Sequence, residues 1–272
     1  MSLVDLQGSS TPPRLSDSES HDDKEVFTSI NDLPPEILDI ILNESGLSEL
    51  DKARAGEVCP LWSRLVRFQT NPHLTVFGKE VWEKYLGYKV VGEVPRSPSR
   101  VKVLETLAEL EGKTEGPGRM LAFIPDKLTL NKLIAHMEKP EEGHATPIRH
   151  IWNRIVQELG DKTVDGCWVL FTETVINGSR GKSYPEQKEL VAKETNSLCE
   201  LPELIVAIAC VALKNVTTGE RILGDNPRTW TRCVGTIHGR PKAVGGFSSG
   251  GVYISINIYD DDSYGVVACR KF

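Results

Sequence analysis

Cys233 and His238 are the one cysteine–histidine pair close enough along the chain to suggest nucleophilic chemistry. A nucleophilic cysteine needs a base within hydrogen-bond reach and a third group that orients that base. The spacing identifies no such third group, and a cysteine in an apolar strand pattern is more commonly a core residue. We therefore expect Cys233 to face the core, and we keep a cysteine-dependent enzyme as the alternative.

The loop Gly178–Ser183 reads GSRGKS and suggests phosphate binding. A phosphate-binding loop needs a glycine five residues before Gly181, so that backbone amides can surround the phosphates. Ile176 occupies that position, and Pro185 comes too early for a helix that begins at the lysine. We expect a loop with exposed basic residues that could form a binding edge.

Two groups of side chains contain metal-ligand types without the spacing of a metal site. They are His136, His144 and His150 with Glu141 and Glu142, and the run Asp260-Asp261-Asp262. Zinc requires three or four convergent ligands, and a calcium loop alternates its ligands around a glycine. We expect exposed histidines, a charged hairpin tip, and neither a metal nor a cofactor.

Two glycine pairs, Gly245-Gly246 and Gly250-Gly251, flank the short run Phe247-Ser248-Ser249. Glycines at this spacing favour a bulged or tight hairpin. The alternative is that they let the backbone of a bound partner approach closely.

Charge and hydropathy exclude several classes of protein. The net charge of −6 over 272 residues gives no basic footprint for nucleic acid. The longest apolar run, Leu204 to Leu213, is about half the ~20 residues that a membrane span needs, so it predicts a buried helix. We expect no nucleic-acid or membrane partner.

The six cysteines form no CxxC pair and indicate a reducing compartment. The start, MSLVDLQGSS, lacks the basic and apolar regions of a signal peptide. We expect a cytoplasmic protein, or one delivered into a host cytosol without a classical signal peptide.

Periodicity divides the chain into four parts. Residues 1–26 are rich in Ser, Asp, Glu and Pro and are predicted to be disordered. Residues 71–118 contain helical patterns at Phe77–Leu86 and Val101–Leu110 around a linker, and residues 119–272 form the main domain. In that domain, strands are predicted at 120–124, 167–171 and from Trp230 onward, with the clearest at 252–259, and helices at 128–137, 147–159, 185–192 and 202–213. Helices followed by an antiparallel sheet define an α+β domain.

Residues 27–70 predict a small helical module. Its core, Ile30 to Val66, reads INDLPPEILDIILNESGLSELDKARAGEVCPLWSRLV and contains two amphipathic helical patterns with a turn at Gly46. The apolar stripe through Ile37 and Ile41 is wider than a short helix needs for its own core, which suggests a protein partner.

This stretch resembles an F-box, a three-helix module. The matching residues are Leu33, Pro34, Glu36, Ile37, Ile41, Leu42, Leu47, Asp51, Val58, Cys59 and Trp62. The resemblance implies that the module binds a Skp-type adaptor and, through it, a cullin ubiquitin ligase. It implies seven adaptor-binding residues: Leu33, Pro34, Ile37, Ile41, Leu47, Val58 and Trp62. Of these, Leu33, Pro34, Ile37 and Ile41 are expected at the adaptor face, while Val58 and Trp62 hold the helices together.

The whole chain resembles the F-box-like proteins found in several copies in amoeba-associated Chlamydiae. The resemblance rests on the segments IPDKLTLNKL, GCWVLFTETVINGSRGKSYPEQ and GVVACRKF and on the step Val244–Phe247. It implies a bacterial effector that acts as a substrate adaptor of an SCF-type ligase, with residues 119–272 recruiting a target protein and no catalytic residue of its own. The alternatives are a cysteine-dependent enzyme tethered by the F-box, and a helical cap without a ligase role.

Overall fold

The computed structural model describes residues 73–256 and 260–272. The strands are β1 (Leu74–Phe77), β2 (Arg119–Ile124), β3 (Leu128–Thr129), β4 (Ile148–Ile151), β5 (Thr163–Val164), β6 (Cys167–Thr172), β7 (Trp230–Ile237), β8 (Arg240–Ser248), β9 (Gly251–Ile256), β10 (Tyr264–Gly265) and β11 (Cys269–Lys271). The helices are α1 (Lys79–Lys84), α2 (Arg100–Leu110), α3 (Leu130–Glu138), α4 (Asn153–Leu159), α5 (Tyr184–Glu194) and α6 (Leu204–Thr218).

Two mixed sheets dominate this part of the chain. The four-stranded sheet has the order β1-β2-β6-β11, and the five-stranded sheet has the order β10-β7-β8-β9-β4. Their inner pairs are antiparallel, while β1, β4 and β10 join the edges in parallel. The α+β class is therefore confirmed for the described residues, and the predicted three-helix module lies outside them.

Helix α6 lies between the two sheets and is buried along most of its length. It contacts β2 of one sheet and β7 and β8 of the other, together with α1 and α3. Every residue from Leu204 to Val216 is buried, as is typical of a helix that is apolar on all sides. It ends at Gly219, whose left-handed φ of 75° suits a glycine. The helix predicted from the run Leu204–Leu213 is confirmed.

Strand β1 and helices α1 and α2 share one hydrophobic core with the strands that follow residue 119. Strand β1 pairs in parallel with β2, which holds Leu74 to Phe77 in an extended conformation. The helix predicted from Phe77 therefore begins only at Lys79. Within it, Trp82 is fully buried and its indole Nε1 donates a hydrogen bond to the carbonyl oxygen of Phe123 at 2.7 Å.

The helix predicted from Pro147 is wrong in its first half. Residues Ile148–Ile151 form strand β4, which pairs in parallel with β9, and the helix begins at Asn153. Pairing with an open sheet edge outweighs the helical periodicity of this segment.

Three predicted helices and two predicted strands are confirmed, and most of their ends agree within one or two residues. The helices are those predicted at 128–137, 185–192 and 202–213, and the strands are those predicted at 120–124 and 167–171. No helix in the described ranges is long and apolar enough to cross a membrane.

Replacement of Trp82 tests whether residues 74–110 contribute to the stability of this core. Trp82→Ala is expected to lower the free energy of unfolding by about 3–5 kcal/mol, because removal of the buried indole leaves a cavity and takes the hydrogen-bond donor away from the Phe123 carbonyl. Urea unfolding followed by circular dichroism measures this change. Val76→Ala, at a side chain that is 55% exposed, is the control and should change stability by less than about 0.5 kcal/mol. A similar small change for Trp82→Ala would contradict the shared core.

Candidate functional site

A cleft of about 580 Å³ opens where three connections of the fold meet. The connections are the loop between α2 and β2, the segment after β6, and the segment between α6 and β7. The lining includes His73, Thr75, Glu115, Pro117, Gly118, Glu173, Thr174, Arg180, Lys214, Glu220, Arg221, Leu223, Asn226 and Thr229. This volume is in the range of small-molecule and side-chain binding pockets.

A buried ion pair lies in this cleft. Lys214, in the last turns of α6, donates to both carboxylate oxygens of Glu173 at 2.9 and 3.0 Å. The side chains of Lys214 and Glu173 are only 9% and 7% exposed. Glu220, which is largely exposed, lies 3.2 Å from the same ammonium group. One lysine is therefore shared by a buried and an exposed carboxylate.

The pair is held in place by its surroundings. Glu173 directly follows the buried strand β6, and α6 carries the aliphatic stem of Lys214 through the core. A Cβ atom at Gly118 would lie 2.5 Å from the Glu173 carboxylate, so only a glycine lets this loop approach so closely. The geometry of the cleft floor is thus set by strand, helix and loop together.

Burial and charge shift the pKa values of these groups. Burial raises the pKa of Glu173 above its ordinary value, and the hydrogen bond from Lys214 offsets only part of that effect. Burial alone would lower the pKa of Lys214, but the hydrogen bonds and charges of Glu173 and Glu220 outweigh it and raise that pKa. Burial lowers the pKa of the nearby Arg119. A cleft with titratable groups perturbed in this way is a candidate binding site on physical grounds.

Arg180 forms one wall of the cleft. Its guanidinium makes two hydrogen bonds to the Glu115 carboxylate, at 2.6 and 2.8 Å, and a third to Thr229 Oγ1 at 3.1 Å. The hydrogen bonds that Arg180 donates to the Glu115 carboxylate are the main reason that the pKa of Arg180 is raised. The expectation of freely exposed basic residues in the loop Gly178–Ser183 is therefore wrong at Arg180, because this side chain ties the loop to two other connections.

The rest of that loop has structural roles. Ser179 is fully buried, and its hydroxyl accepts a hydrogen bond from the backbone N–H of Val266 at 3.1 Å. Ser183 forms a capping box with Glu186 at the start of α5. These contacts account for the serines in the loop without a bound phosphate.

Cys233 and His238 are not brought together as a catalytic pair. Cys233 is fully buried in β7, as expected, and burial raises its pKa to about 12. The His238 side chain is 62% exposed and lies 3.8 Å from Glu158. Burial also raises the pKa of Cys199 to about 12. These two cysteines are therefore protonated thiols at neutral pH, a form that is a poor nucleophile.

The histidines and aspartates singled out as metal-ligand types are dispersed. His136 Nδ1 lies 2.8 Å from the carbonyl oxygen of Leu86, and His150 lies beside Tyr253. Asp260 forms an ion pair with Arg232. In residues 73–256 and 260–272, no three histidine, cysteine, aspartate or glutamate side chains converge on one point.

The cleft residues Glu173 and Lys214 were not predicted from the sequence. Each is a single charge at the end of a long buried apolar run, Glu173 after β6 and Lys214 near the end of α6. This position is a usable signal, because a charge so close to the core needs a partner. The seven predicted adaptor-binding residues, from Leu33 to Trp62, all lie outside the described residues.

Comparisons with protein-family models, with curated proteins and with solved structures find no match to this chain.

Alkylation of the native protein tests the burial of the cysteines. Iodoacetamide at pH 8 is expected to leave Cys199, Cys210, Cys233 and Cys269 unmodified, because all four are buried and burial raises each thiol pKa. Peptide mass mapping with and without urea measures protection at each position. Half-buried Cys167 is the internal comparison, and it should react before the other four. Rapid native modification of Cys233 would instead support a cysteine-dependent enzyme.

Breaking the buried ion pair should destabilise the fold more than replacing it. Lys214→Met leaves the Glu173 carboxylate buried without its partner, so the free energy of unfolding is expected to fall by about 3–5 kcal/mol. Glu173→Leu/Lys214→Met removes both charges and should recover most of that loss. Urea unfolding measures both variants, and Lys113→Met, at the more exposed pair with Glu194, should cost less than about 1 kcal/mol.

The pH dependence of Lys214→Met has a definite sign. Burial raises the folded-state pKa of Glu173 above its ordinary value of 4.5, and Lys214 lowers it. Removal of Lys214 therefore raises this pKa further, so protonation favours the folded state more in the variant than in the wild type. The stability deficit should therefore shrink as the pH falls toward 4.5 and grow as the pH rises through the folded-state pKa. A deficit that is constant between pH 4.5 and 8 would show that the pair does not control the ionisation of Glu173.

Proposed function

We propose that this protein is an F-box-like substrate adaptor of an SCF-type cullin ubiquitin ligase. In this proposal the segment 27–70 binds a Skp-type adaptor, and the domain that follows holds a target protein. Ubiquitin is transferred by other subunits, so the mechanism is proximity and requires no catalytic residue of this chain. The sequence motif from Leu33 and Pro34 to Val58 and Trp62 supports the adaptor half of the proposal.

The preformed cleft around Glu173 and Lys214 is the observation that supports target binding. Its floor is rigid, because the two charges are buried and bonded to each other. Its outer carboxylate, Glu220, is more than half exposed and can accept a hydrogen bond from an incoming group. A target segment that inserts a polar or basic side chain would meet acceptors that are already oriented, which lowers the entropy cost of binding.

The proposal is consistent with a bacterial effector delivered into a host cell, because the host would supply the adaptor and the cullin.

The described cysteines give little support to the alternative of a tethered cysteine enzyme, since Cys233 is buried apart from the exposed His238. The alternative of a helical cap predicts contact between the stripe Ile37/Ile41 and the domain after residue 119.

Pull-down of a purified Skp-type adaptor tests the proposal directly. The full chain is expected to retain the adaptor at micromolar concentration, and Leu33→Ala/Pro34→Ala should lose it, because these residues are expected at the adaptor face. The control Val91→Ala/Pro98→Ala makes the same kind of truncation in the segment between α1 and α2, where Val91 is 84% exposed, and should bind like the wild type.

Two results would overturn the adaptor role. One is absence of the adaptor from the wild-type eluate while circular dichroism shows a folded protein. The other is crosslinking of Ile37 or Ile41 to residues after 119 together with unchanged binding by Leu33→Ala/Pro34→Ala, which would favour the helical cap.

A further inference from the structure

Aromatic side chains form a row across the five-stranded sheet. The register pairs Tyr264 with Trp230, Trp230 with Gly245, and Gly245 with Tyr253, and it places Tyr253 opposite His150. The ring centroids of Trp230 and Tyr264 are 5.5 Å apart, and those of Trp230 and Tyr253 are 5.7 Å apart. The row therefore crosses all five strands at one level.

This row lies on the face of the sheet that points away from α6. The neighbouring residues Val244, Val252 and Ile254 belong to the main hydrophobic core, whereas Trp230 does not, although it is only 3% exposed. Successive residues of a strand point to opposite faces. The aromatic row is thus a second layer on the outer face, and Tyr253 covers part of Trp230.

Two glycines make room for the tryptophan. Gly245 has φ of 153°, and a Cβ atom there would lie 2.3 Å from the carbonyl oxygen of Thr229. A Cβ atom at Gly246, with φ of 56°, would lie 3.3 Å from the Trp230 ring. The bulged hairpin predicted from these glycines is confirmed by the register shift between Gly245 and Ser248. Because of this bulge, the Trp230 indole lies over the glycines and next to the Tyr253 ring.

Arginines stack on the rings of the row. Arg228 lies 5.6 Å above Trp230, and Arg149 lies 5.3 Å above Tyr253. Arg149 also donates to Ser248 Oγ at 3.2 Å. Both arginines are exposed, and no ion pair joins either of them to a carboxylate in the described parts of the chain. A stacked guanidinium is oriented before binding and keeps its in-plane donors available.

The charges at the two ends of the row differ. Next to Tyr264, the buried Arg232 is neutralised by Asp260, and Asp261 accepts hydrogen bonds from Ser263. Next to Tyr253, Arg149 and His150 are both exposed at the bulge in β4. The guanidinium charges of Arg228 and Arg149, which have no ion-pair partner among the described residues, therefore lie on the Trp230 and Tyr253 side of the row.

Trp230 supplies an independent sign of a missing contact. Its indole Nε1 is buried and makes no hydrogen bond to any described residue. Buried N–H groups are nearly always paired, so this donor marks a place where an acceptor oxygen would be stabilised.

We propose that Arg149 and Arg228, stacked on Tyr253 and Trp230, bind an acidic peptide segment of a partner protein. Guanidinium groups bind carboxylates through paired, charge-assisted hydrogen bonds, and the half-buried ring of Tyr253 provides apolar surface for a neighbouring side chain of the peptide. Nucleic acid fits this face less well, because two arginines can neutralise only two phosphates, whereas nucleic-acid binding draws on many phosphate contacts. This surface adjoins the cleft, whose lining includes Pro227 and Thr229 on either side of Arg228, but it does not depend on the ligase role.

Binding of a fluorescein-labelled peptide of Asp and Glu residues around one tyrosine tests the assignment. The full chain is expected to bind it with micromolar affinity at about 0.15 M salt. Arg149→Gln/Arg228→Gln should weaken binding at least about tenfold, because both charge-assisted contacts are lost. Fluorescence anisotropy measures the affinity, and circular dichroism verifies the fold of each variant.

The control Arg96→Gln/Arg240→Gln removes the same charge from exposed positions outside the row and should change binding less than about twofold at this salt concentration. Three outcomes would overturn the proposal. They are unchanged affinity in Arg149→Gln/Arg228→Gln, equal loss in the control variant, and tighter binding of a thymidine oligonucleotide than of the peptide. The variant Leu33→Ala/Pro34→Ala, which should lose adaptor binding, is expected to bind the peptide like the wild type. The adaptor proposal and the peptide proposal can therefore fail independently of each other.

Discussion

The burial of α6 between two sheets is the constraint on which the rest of the structure depends. A helix surrounded by protein has no water for its polar side chains, so each of them needs a protein partner. Lys214 donates to the Glu173 carboxylate, and Asn215 donates to Thr146 Oγ1 at 2.9 Å and to the carbonyl oxygen of Ala145 at 3.0 Å. These contacts fix the cleft floor on one side and the chain leading into β4 on the other.

The two candidate binding surfaces use this rigidity in different ways. In the cleft, loops surround charges that the helix and β6 hold in place, so the site is concave and its charges are paired. On the outer face of the five-stranded sheet, the strand register itself places the rings of Tyr264, Trp230 and Tyr253 in a row. The first surface suits an inserted side chain, and the second suits an extended segment.

Local pattern predicted those parts of the fold that depend on local physics. The apolar run Leu204–Leu213 predicted the central helix, and the buried run from Cys167 predicted a central strand. Strand β4 was missed, because its extended form depends on pairing with β9, about a hundred residues away. The candidate sites also depend on contacts between residues far apart in the sequence, so local pattern did not predict them. Glu173 contacts Lys214, and Trp230 contacts Tyr253, only in the folded protein. The F-box interpretation stays a prediction, because its residues precede the described part of the chain.

The pairing of Glu173 with Lys214 also has an evolutionary consequence. Loss of either charge alone leaves the other one buried, whereas loss of both is expected to cost little stability. The two positions are therefore expected to change together, because a variant that keeps only one of the charges is less stable than either the charged pair or the apolar pair. Any related sequence that replaces Lys214 with an aliphatic residue is expected to carry an uncharged residue at the position of Glu173, and this covariation would trace the cleft through sequences whose overall similarity has been lost.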